Sequence, residues 1–466
     1  MKSFMRLPCL ILLGASLLAA LPVRAQLNDG KPDPDFPVPD SLNLEYALAF
    51  ALDNNFAIRQ AKERIRQQDG VLLQVRSAQI PNVSASGTYE RADKEIAANG
   101  KDANWAFEIL AQQTLFAGGG VVSGVRAQKL NLEAAELDLQ SVINDALFVV
   151  RTRFYAVLVN REKIKVQEQN VELLQRQLQD VKNRFEAGTV SNFEVLRAEV
   201  ALANARTPLI TARNDYRLAI EELRQALGFV THTEHNVTKI PEFTGTLEFT
   251  PASFDLRAAL EAARDHRPDL LRLTKLESAA EEGVFVSRAN YYPSLSAFAA
   301  YDIRDASAFS AVNLPVGATA PSHLQGFTVG IQSKWNIFDG RATAGRVAQS
   351  RSLLEQTKLS LAETQLAVDV DVRRSVSTFQ ESTELAEASK KVVEQAEEAV
   401  RLANARYNAG TATQLDVLTS QVDLTTARLN QLQAYYSYNI AVAATRKAMG
   451  LTDEMRPTKE LAYPAK

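Results

Sequence analysis

The chain has 466 residues, with 52 basic against 55 acidic side chains, a formal net charge of −3 and one cysteine, Cys9. That balance argues against nucleic acid as a partner, and the lone cysteine leaves no disulfide framework. Ala, Leu, Gln, Glu and Arg dominate long stretches free of Pro and Gly, which read as long helices rather than compact domains.

Residues 1–25 read as a secretory signal peptide. Lys2 and Arg6 give the charged start, Leu10 to Leu21 the apolar stretch, and Val23-Arg24-Ala25 a small-residue cleavage site. A membrane anchor is the rival reading, but the run is short for about 30 Å of hydrocarbon. Leu7-Pro8 before Cys9 is a poor lipidation box, because small residues should precede the cysteine. Without Lys2, Arg6 and Arg24, 49 basic residues face 55 acidic ones. Residues 26–41, rich in Pro and Asp, should be extended.

A helix is expected over 42–80, with Leu44, Ala47, Leu48, Ala51 and Leu52 forming its apolar stripe and Pro81 stopping it. A β-hairpin follows over about 82–116. Its first strand alternates weakly through Val83 and Tyr89; its second puts Trp105, Phe107, Ile109, Ala111 and Leu115 on one face. The polar loop 93–103 joins them. A long helix over 120–184 would run roughly 95–100 Å. One seam is Leu132, Ala135, Leu139, Val142, Ala146 and Val149; a second is Ile143, Leu147, Val150, Phe154 and Val157. Two seams suit a helix packed on both sides in a curved wall, and a broad stripe also occurs in ordinary bundles.

Ala187-Gly188-Thr189 should end this helix through a left-handed cap. Ser191 would cap the returning helix, 191–228, with Glu194 completing a capping box. Residues 229–253 leave the pattern and should pack outside the helical wall.

From 254 to 450 the chain repeats itself. Arg184 to Arg206 falls on Arg406 to Arg428 at a shift of 222, with ten of 23 positions identical. Upstream the shift is 212, placing Leu44, Ala47, Leu48, Ala51 and Pro81 on Leu256, Ala259, Leu260, Ala263 and Pro293. The second copy therefore predicts a helix over 254–290, a hairpin over about 294–338, a long helix over 341–407, a break at Ala409-Gly410-Thr411 and a returning helix over 413–449. Its second strand puts Phe327, Val329, Ile331, Trp335 and Ile337 on one face and Thr328, Gly330, Gln332, Lys334 and Asn336 on the other. Residues 451–466 form a tail. Duplicating so long a unit duplicates a geometry rather than one catalytic pocket.

Four strands with one apolar face could form a soluble sheet covered by helices. Strands of about 10 residues also suit a tilted membrane crossing, and Trp105, Phe327 and Trp335 near strand ends suit an interfacial girdle. Four strands cannot close a barrel alone, and an open edge cannot survive in lipid, so a membrane reading needs several chains.

Catalytic chemistry is absent. His232 and His235 lack a nearby third metal ligand and read as a surface loop. Gly118-Gly119-Gly120 lacks the Lys-Ser/Thr of a phosphate loop and reads as a hinge. Asn236-Val-Thr is a sugar-acceptor pattern without weight in a bacterium. There is no nucleophile triad, paired-carboxylate cleft or cofactor fingerprint. No enzyme, metal or cofactor is expected, and Met and His are scarce.

The doubled order of elements, Leu44-x-x-Ala-Leu-x-x-Ala-x-x-Asn54, Pro81 and Pro293 before strands, Leu115-Phe-Ala-Gly-Gly119, Ile337-Phe-Asp-Gly340 and the two Arg-(Phe/Tyr)-x-x-Gly-Thr turns resemble the TolC-type outer-membrane channels of Gram-negative bacteria, over nearly all of the chain beyond the leader. The resemblance implies a mainly α fold with a membrane β-barrel portion. Three copies would share a 12-stranded barrel on a helical periplasmic tunnel. It implies a passive exit duct of a tripartite efflux or type I secretion system, with a periplasmic adaptor, an inner-membrane pump and outer-membrane lipid as partners. Trp105, Phe107, Ile109, Phe327, Val329, Ile331 and Trp335 would face lipid. Gly188, Thr189, Val190, Ser191, Gly410, Thr411, Ala412 and Thr413 would form the adaptor-docking tip. Tyr407 matches the family's aromatic hydroxyl at the gate, Glu194 its carboxylate partner and Asp416 an acidic ring. Ala412 replaces a basic linking residue and Thr419 a second acidic ring, so the closed state would be held differently. The alternative is a soluble periplasmic coiled-coil scaffold or adaptor.

Overall fold

A computed structural model of the chain describes residues 39–91, 93, 103–229, 240–305 and 323–451. The expected signal peptide, nearly all of the extended segment, most of both hairpin loops, His232, His235, Asn236 and the tail beyond Leu451 lie outside the described residues. The chain divides into two compact units. One is Met1–Asp40 with Phe229–Pro241, almost entirely outside the described residues; the other, Ser41–Gly228 with Glu242–Lys466, carries every element below.

The first repeat begins with β1 (Ser41–Leu42), then α1 (Leu44–Asn54) and α2 (Phe56–Arg76). One helix was expected here; two form, because Asn55 leaves the helical path. Its side-chain oxygen accepts from the Ala57 and Ile58 N–H groups at 2.9 and 3.3 Å, capping α2. Its side-chain nitrogen donates to the Ala226 carbonyl at 2.7 Å. The second repeat breaks at the equivalent place, between α5 (Leu256–His266) and α6 (Pro268–Arg288). Pro268 causes that break by disfavouring helical backbone at Arg267, whose ψ is 119°. A glycine docks on each break. Gly228 has φ 71°, and a Cβ there would lie 2.5 Å from the Asn54 carbonyl oxygen; Gly450, at φ 74°, would meet the His266 carbonyl carbon at 2.7 Å. Only glycine fits both the left-handed backbone and the space.

The hairpins are β2 (Asn82–Arg91) with β3 (Ala103–Ala117), and β5 (Ser294–Asp305) with β6 (His323–Lys334). They join in one antiparallel sheet of order β2-β3-β5-β6, leaving β2 and β6 as edges. The two hairpins share one register: Asn82 opposes Gln112, and Ser294, 212 residues after Asn82, opposes Lys334, 222 residues after Gln112.

β6 stops at Lys334, short of the expected 327–337 strand. Trp335 and Ile337 therefore lie beyond the strand, and the Trp335 indole N–H donates to the Tyr291 carbonyl at 3.1 Å. The reason lies in the neighbours. β3 outruns its hairpin partner because β5 lies on its other side, pairing Gln113 to Ala117 with Ala297 to Ser294. Among the described residues, β6 has no strand on its other side.

The long hairpins are α3 (Gly120–Glu186) with α4 (Asn192–Leu227), and α7 (Ala342–Asn408) with α8 (Gln414–Ala448). α6 packs on both α3 and α7, and α8 packs on α3. On α3, Leu147, Val150, Phe154 and Val157 of the second seam are enclosed together with Ala146 of the first, whereas Val149 of the first is 45 % exposed. Ala259, Ala263, Leu270, Val368, Val372, Val376 and Ala448 tie the second repeat's helices together. Leu418 of α8 joins Leu174, Leu202 and Ala205 of the first hairpin.

The inter-repeat segment does more than pack outside. β4 (Glu242–Phe243) pairs in parallel with β1. Phe243 is buried beside Phe154 and Tyr216, with ring centroids 6.3 and 6.5 Å away. Arg161 holds it by donating to the Phe243 and Gly245 carbonyls.

Candidate functional sites: the sheet face and the helical tips

Cross-strand register sorts the sheet into two faces. On one, Tyr89 opposes Trp105; Ile109 opposes Ala85 and Tyr301, which opposes Phe327; and Ala299 separates Ala111 from Val329. Phe107 and Ile331 lie on this same face, opposite Ile303 and Ala297. Six of the seven expected lipid-facing residues are therefore on one continuous apolar face, and Trp335 lies past its strand's end. Its aromatic residues gather toward the hairpin loops, and Ala or aliphatic residues fill the rows behind them. The other face carries Ser84, Ser86, Thr88 and Glu90, Glu108 and Gln112, Ser296 and Asp302, Thr328 and Gln332. Phe327, Val329 and Ile331 on the edge are 81 %, 74 % and 69 % exposed.

The helical tips lie about 100 Å of helix away from the sheet. In the first, Gly188 at φ 74° closes the turn, and the Thr189 N–H and hydroxyl both donate to the Arg184 carbonyl at 2.9 Å. The second repeats this with Gly410 at φ 71° and Thr411 donating to the Arg406 carbonyl. A Cβ at Gly188 or Gly410 would meet nothing within 4 Å among the described residues. Val190 and Ala412 are half-buried in these turns.

The two return helices start differently. The Thr413 hydroxyl accepts from the Asp416 N–H, while the Asp416 carboxylate accepts from the Thr413 N–H at 2.7 Å and hydroxyl at 2.8 Å, a complete capping box. Those bonds, the backbone one first, hold the Asp416 carboxyl below its ordinary value. The expected box at Ser191 and Glu194 does not form; the Ser191 side chain makes no cap bond.

Nor does the chain bring Glu194 to Tyr407. The Tyr407 ring takes the Arg184 guanidinium over its face at 4.9 Å, and Arg184 reaches the Asn408 side-chain oxygen at 3.4 Å. The Tyr407 hydroxyl is buried without a hydrogen-bond partner among the described residues. Gln414 and Gln421, both 4 % exposed, also hold amide atoms without partners. Sequence reasoning missed them. The available signal was their spacing: Gln414, Val417, Leu418 and Gln421 occupy one helical stripe.

Comparison with known proteins decides what such a sheet and such tips belong to. The outer membrane efflux protein family matches residues 48–229 and 259–451, most of both repeats.

The chain belongs to the outer membrane efflux protein family.

Among curated relatives, CyaE of Bordetella pertussis is 25 % identical over 394 residues, covering 84 % of this chain and 80 % of that protein. TolC of Escherichia coli is 24 % identical over 387 residues, covering 82 % and 76 %. The Campylobacter jejuni CmeC outer membrane channel shares the fold at a TM-score of 0.73 and 16 % identity, over 90 % of this chain and 88 % of that one. This outer membrane efflux protein is accordingly a channel component of the outer membrane, not an enzyme, which sets aside the soluble scaffold or adaptor. No described helix is long and apolar enough to cross a membrane.

Proposed function

We infer that three copies of this outer membrane efflux protein close one 12-stranded barrel and form the passive exit duct of a tripartite efflux or type I secretion system. The observation that carries this reading is the four-stranded sheet. The centre of one face is apolar and, among the described residues, both edges are unpaired, which lipid does not tolerate in a single chain. Three sheets joined edge to edge remove every edge. Trp105, Phe107, Ile109, Phe327, Val329 and Ile331 then meet outer-membrane lipid, and the face with Glu108 and Asp302 lines the lumen.

Energy comes from an inner-membrane pump, linked by a periplasmic adaptor that docks at Gly188 to Ser191 and Gly410 to Thr413. Glu194, Tyr407 and Asp416 form the gate at the same tips, with the unpartnered Tyr407 hydroxyl as the group that a neighbouring hairpin engages. The test is fractionation and mass. The protein should sediment with the outer membrane and run as a trimer in mild detergent. A monomer that stays in solution without detergent would end this reading.

A further inference from the structure

We propose that the seam between neighbouring copies has a definite register, and that Trp335 to Asp339 becomes strand only when a second copy of this chain covers it. The proposal rests on the trimeric reading above and specifies the joint.

The chain already makes this joint once. β3 ends the first repeat's hairpin and β5 begins the second's, and the two pair directly. Along that seam Glu108 opposes Asp302, Gln112 opposes Phe298 and Thr114 opposes Ser296. A bulge then leaves Leu115 unpaired, and Phe116 and Ala117 oppose Leu295 and Ser294. β6 is the repeat equivalent of β3, and β2 of β5. The identical registers of the two hairpins fix those equivalences to the residue.

Moving β3 forward by 222 and β5 back by 212 yields the missing joint. Ile331 opposes Tyr89 of the second copy, Gln332 opposes its Thr88, Trp335 its Ala85 and Asn336 its Ser84. Ile337 becomes the bulge, and Phe338 and Asp339 oppose Val83 and Asn82.

Three observations agree with this register. The strand directions alternate along β2-β3-β5-β6, so β6 of one copy is antiparallel to β2 of the next. The faces match: Ile331 and Trp335 meet apolar-face residues, and Gln332 and Asn336 meet polar-face residues, which a one-residue slip would reverse. The length also fits. β3 reaches Ala117, whose equivalent is Asp339, whereas β6 stops at Lys334. The segment beyond it is unpaired, with Ile337 83 % and Phe338 85 % exposed. Strand pairing on the free edge supplies the partner that β5 cannot.

Cysteine pairs read this register. Only Cys9 is native. Directly opposed positions suit a disulfide, with Cα atoms about 4.4–6.8 Å apart, whereas a shift of two residues leaves about 7–8 Å. Ser84→Cys with Asn336→Cys, and Thr88→Cys with Gln332→Cys, should give covalent trimers on non-reducing gels of oxidised outer membranes. The shifted pairs Ser86→Cys with Asn336→Cys and Asn82→Cys with Asn336→Cys should give at least tenfold less. Trimers from a shifted pair instead, or no cross-link in particles of trimer mass, overturn the register while leaving the trimer intact. Monomers in detergent overturn both. The unaltered protein offers a second reading: in the detergent trimer, amides of Trp335 to Asp339 should exchange as slowly as those of Gln113 to Ala117. Exchange at least a hundredfold faster would overturn the strand extension.

Discussion

The two repeats carry the same elements in the same register, and they differ where something outside the repeat completes them. At the helix breaks, the first repeat uses the neutral Asn55, bonded to its own α4, and the second uses the charged Arg267, bonded to Asp269 and to Asp371 of α7. At the strand ends, β3 is completed by β5, and β6 by nothing among the described residues. Another contrast lies beneath the sheet. Trp335 hydrogen-bonds Tyr291, while its equivalent Gln113 leaves a cleft of about 250 Å³ shared with Ala78, Gln79 and Phe116. A repeat thus preserves backbone geometry, while its side chains adapt to unequal neighbours.

The shared backbone device gives the largest expected effect. Gly228 and Gly450 combine left-handed backbone with a close approach, so Gly228→Ala and Gly450→Ala should each cost about 3 kcal/mol, strain plus overpacking. Gly188 and Gly410 have the same backbone in open space, and alanine there should cost about 1 kcal/mol. Denaturant midpoints of the four variants measure the contrast. Equal losses would mean that the docking of helix ends on the two breaks contributes nothing.

Next comes the sheet. Ile109 and Ile331 are repeat equivalents, one on a strand flanked on both sides and one on an edge. In a closed lipid-facing barrel both sit on the same surface. Ile109→Arg and Ile331→Arg should then each cost about 2–4 kcal/mol of assembly near the bilayer midplane, and Gln332→Arg much less. Trimer yield in outer membranes reports all three. A loss at Ile109 alone would point to a sheet whose edge stays in water.

The helix breaks differ in their response to acid. Burial favours the neutral carboxyl of Asp269, but the hydrogen bonds and charge of Arg267 outweigh it and hold the group below its ordinary value. A depressed carboxyl contributes stability that is present above the unfolded value of about 3.9 and lost as pH falls through the lower folded value. Below about pH 4 the start of the second repeat should therefore loosen, whereas Asn55 does not titrate. Amide exchange of Leu256–Arg288 against Leu44–Arg76 between pH 6 and 3 checks this. Arg267→Ala should remove the difference and cost about 1–3 kcal/mol.

How much of this was legible follows from what each pattern reports. Gly188 and Gly410 were readable because a left-handed cap is a local event. The broken first helices were also readable, from Asn55 and from Pro268, but the apolar stripe runs through both breaks and hid them. Alternation past Lys334 reports side-chain faces, and a strand additionally needs a partner backbone. The buried amides of Gln414 and Gln421 sit at stripe positions, where tertiary packing alone decides which polar residue is enclosed. The absent Ser191 cap has no physical account in the structure.

The smallest effect on stability concerns the proposed gate. The Tyr407 hydroxyl bonds nothing among the described residues, so Tyr407→Phe should change the folding of an isolated hairpin by under about 0.5 kcal/mol. The Arg184 guanidinium keeps its aromatic face in either variant. Any larger consequence has to come from a contact between hairpins. Glu194 of an adjacent hairpin is the proposed acceptor, and a hydrogen bond to a charged group is worth about 1.5–3 kcal/mol, multiplied by three symmetric copies. Tyr407→Phe with Glu194→Ala should then raise single-channel conductance in planar bilayers and sensitise cells to large antibiotics, at unchanged trimer levels. Arg184→Ala separates this from the ring contact: it removes the stacked cation and leaves the hydroxyl in place. If Arg184→Ala opens the channel and the double variant does not, the tip is held by the cation on Tyr407, and Glu194 serves only its own helix.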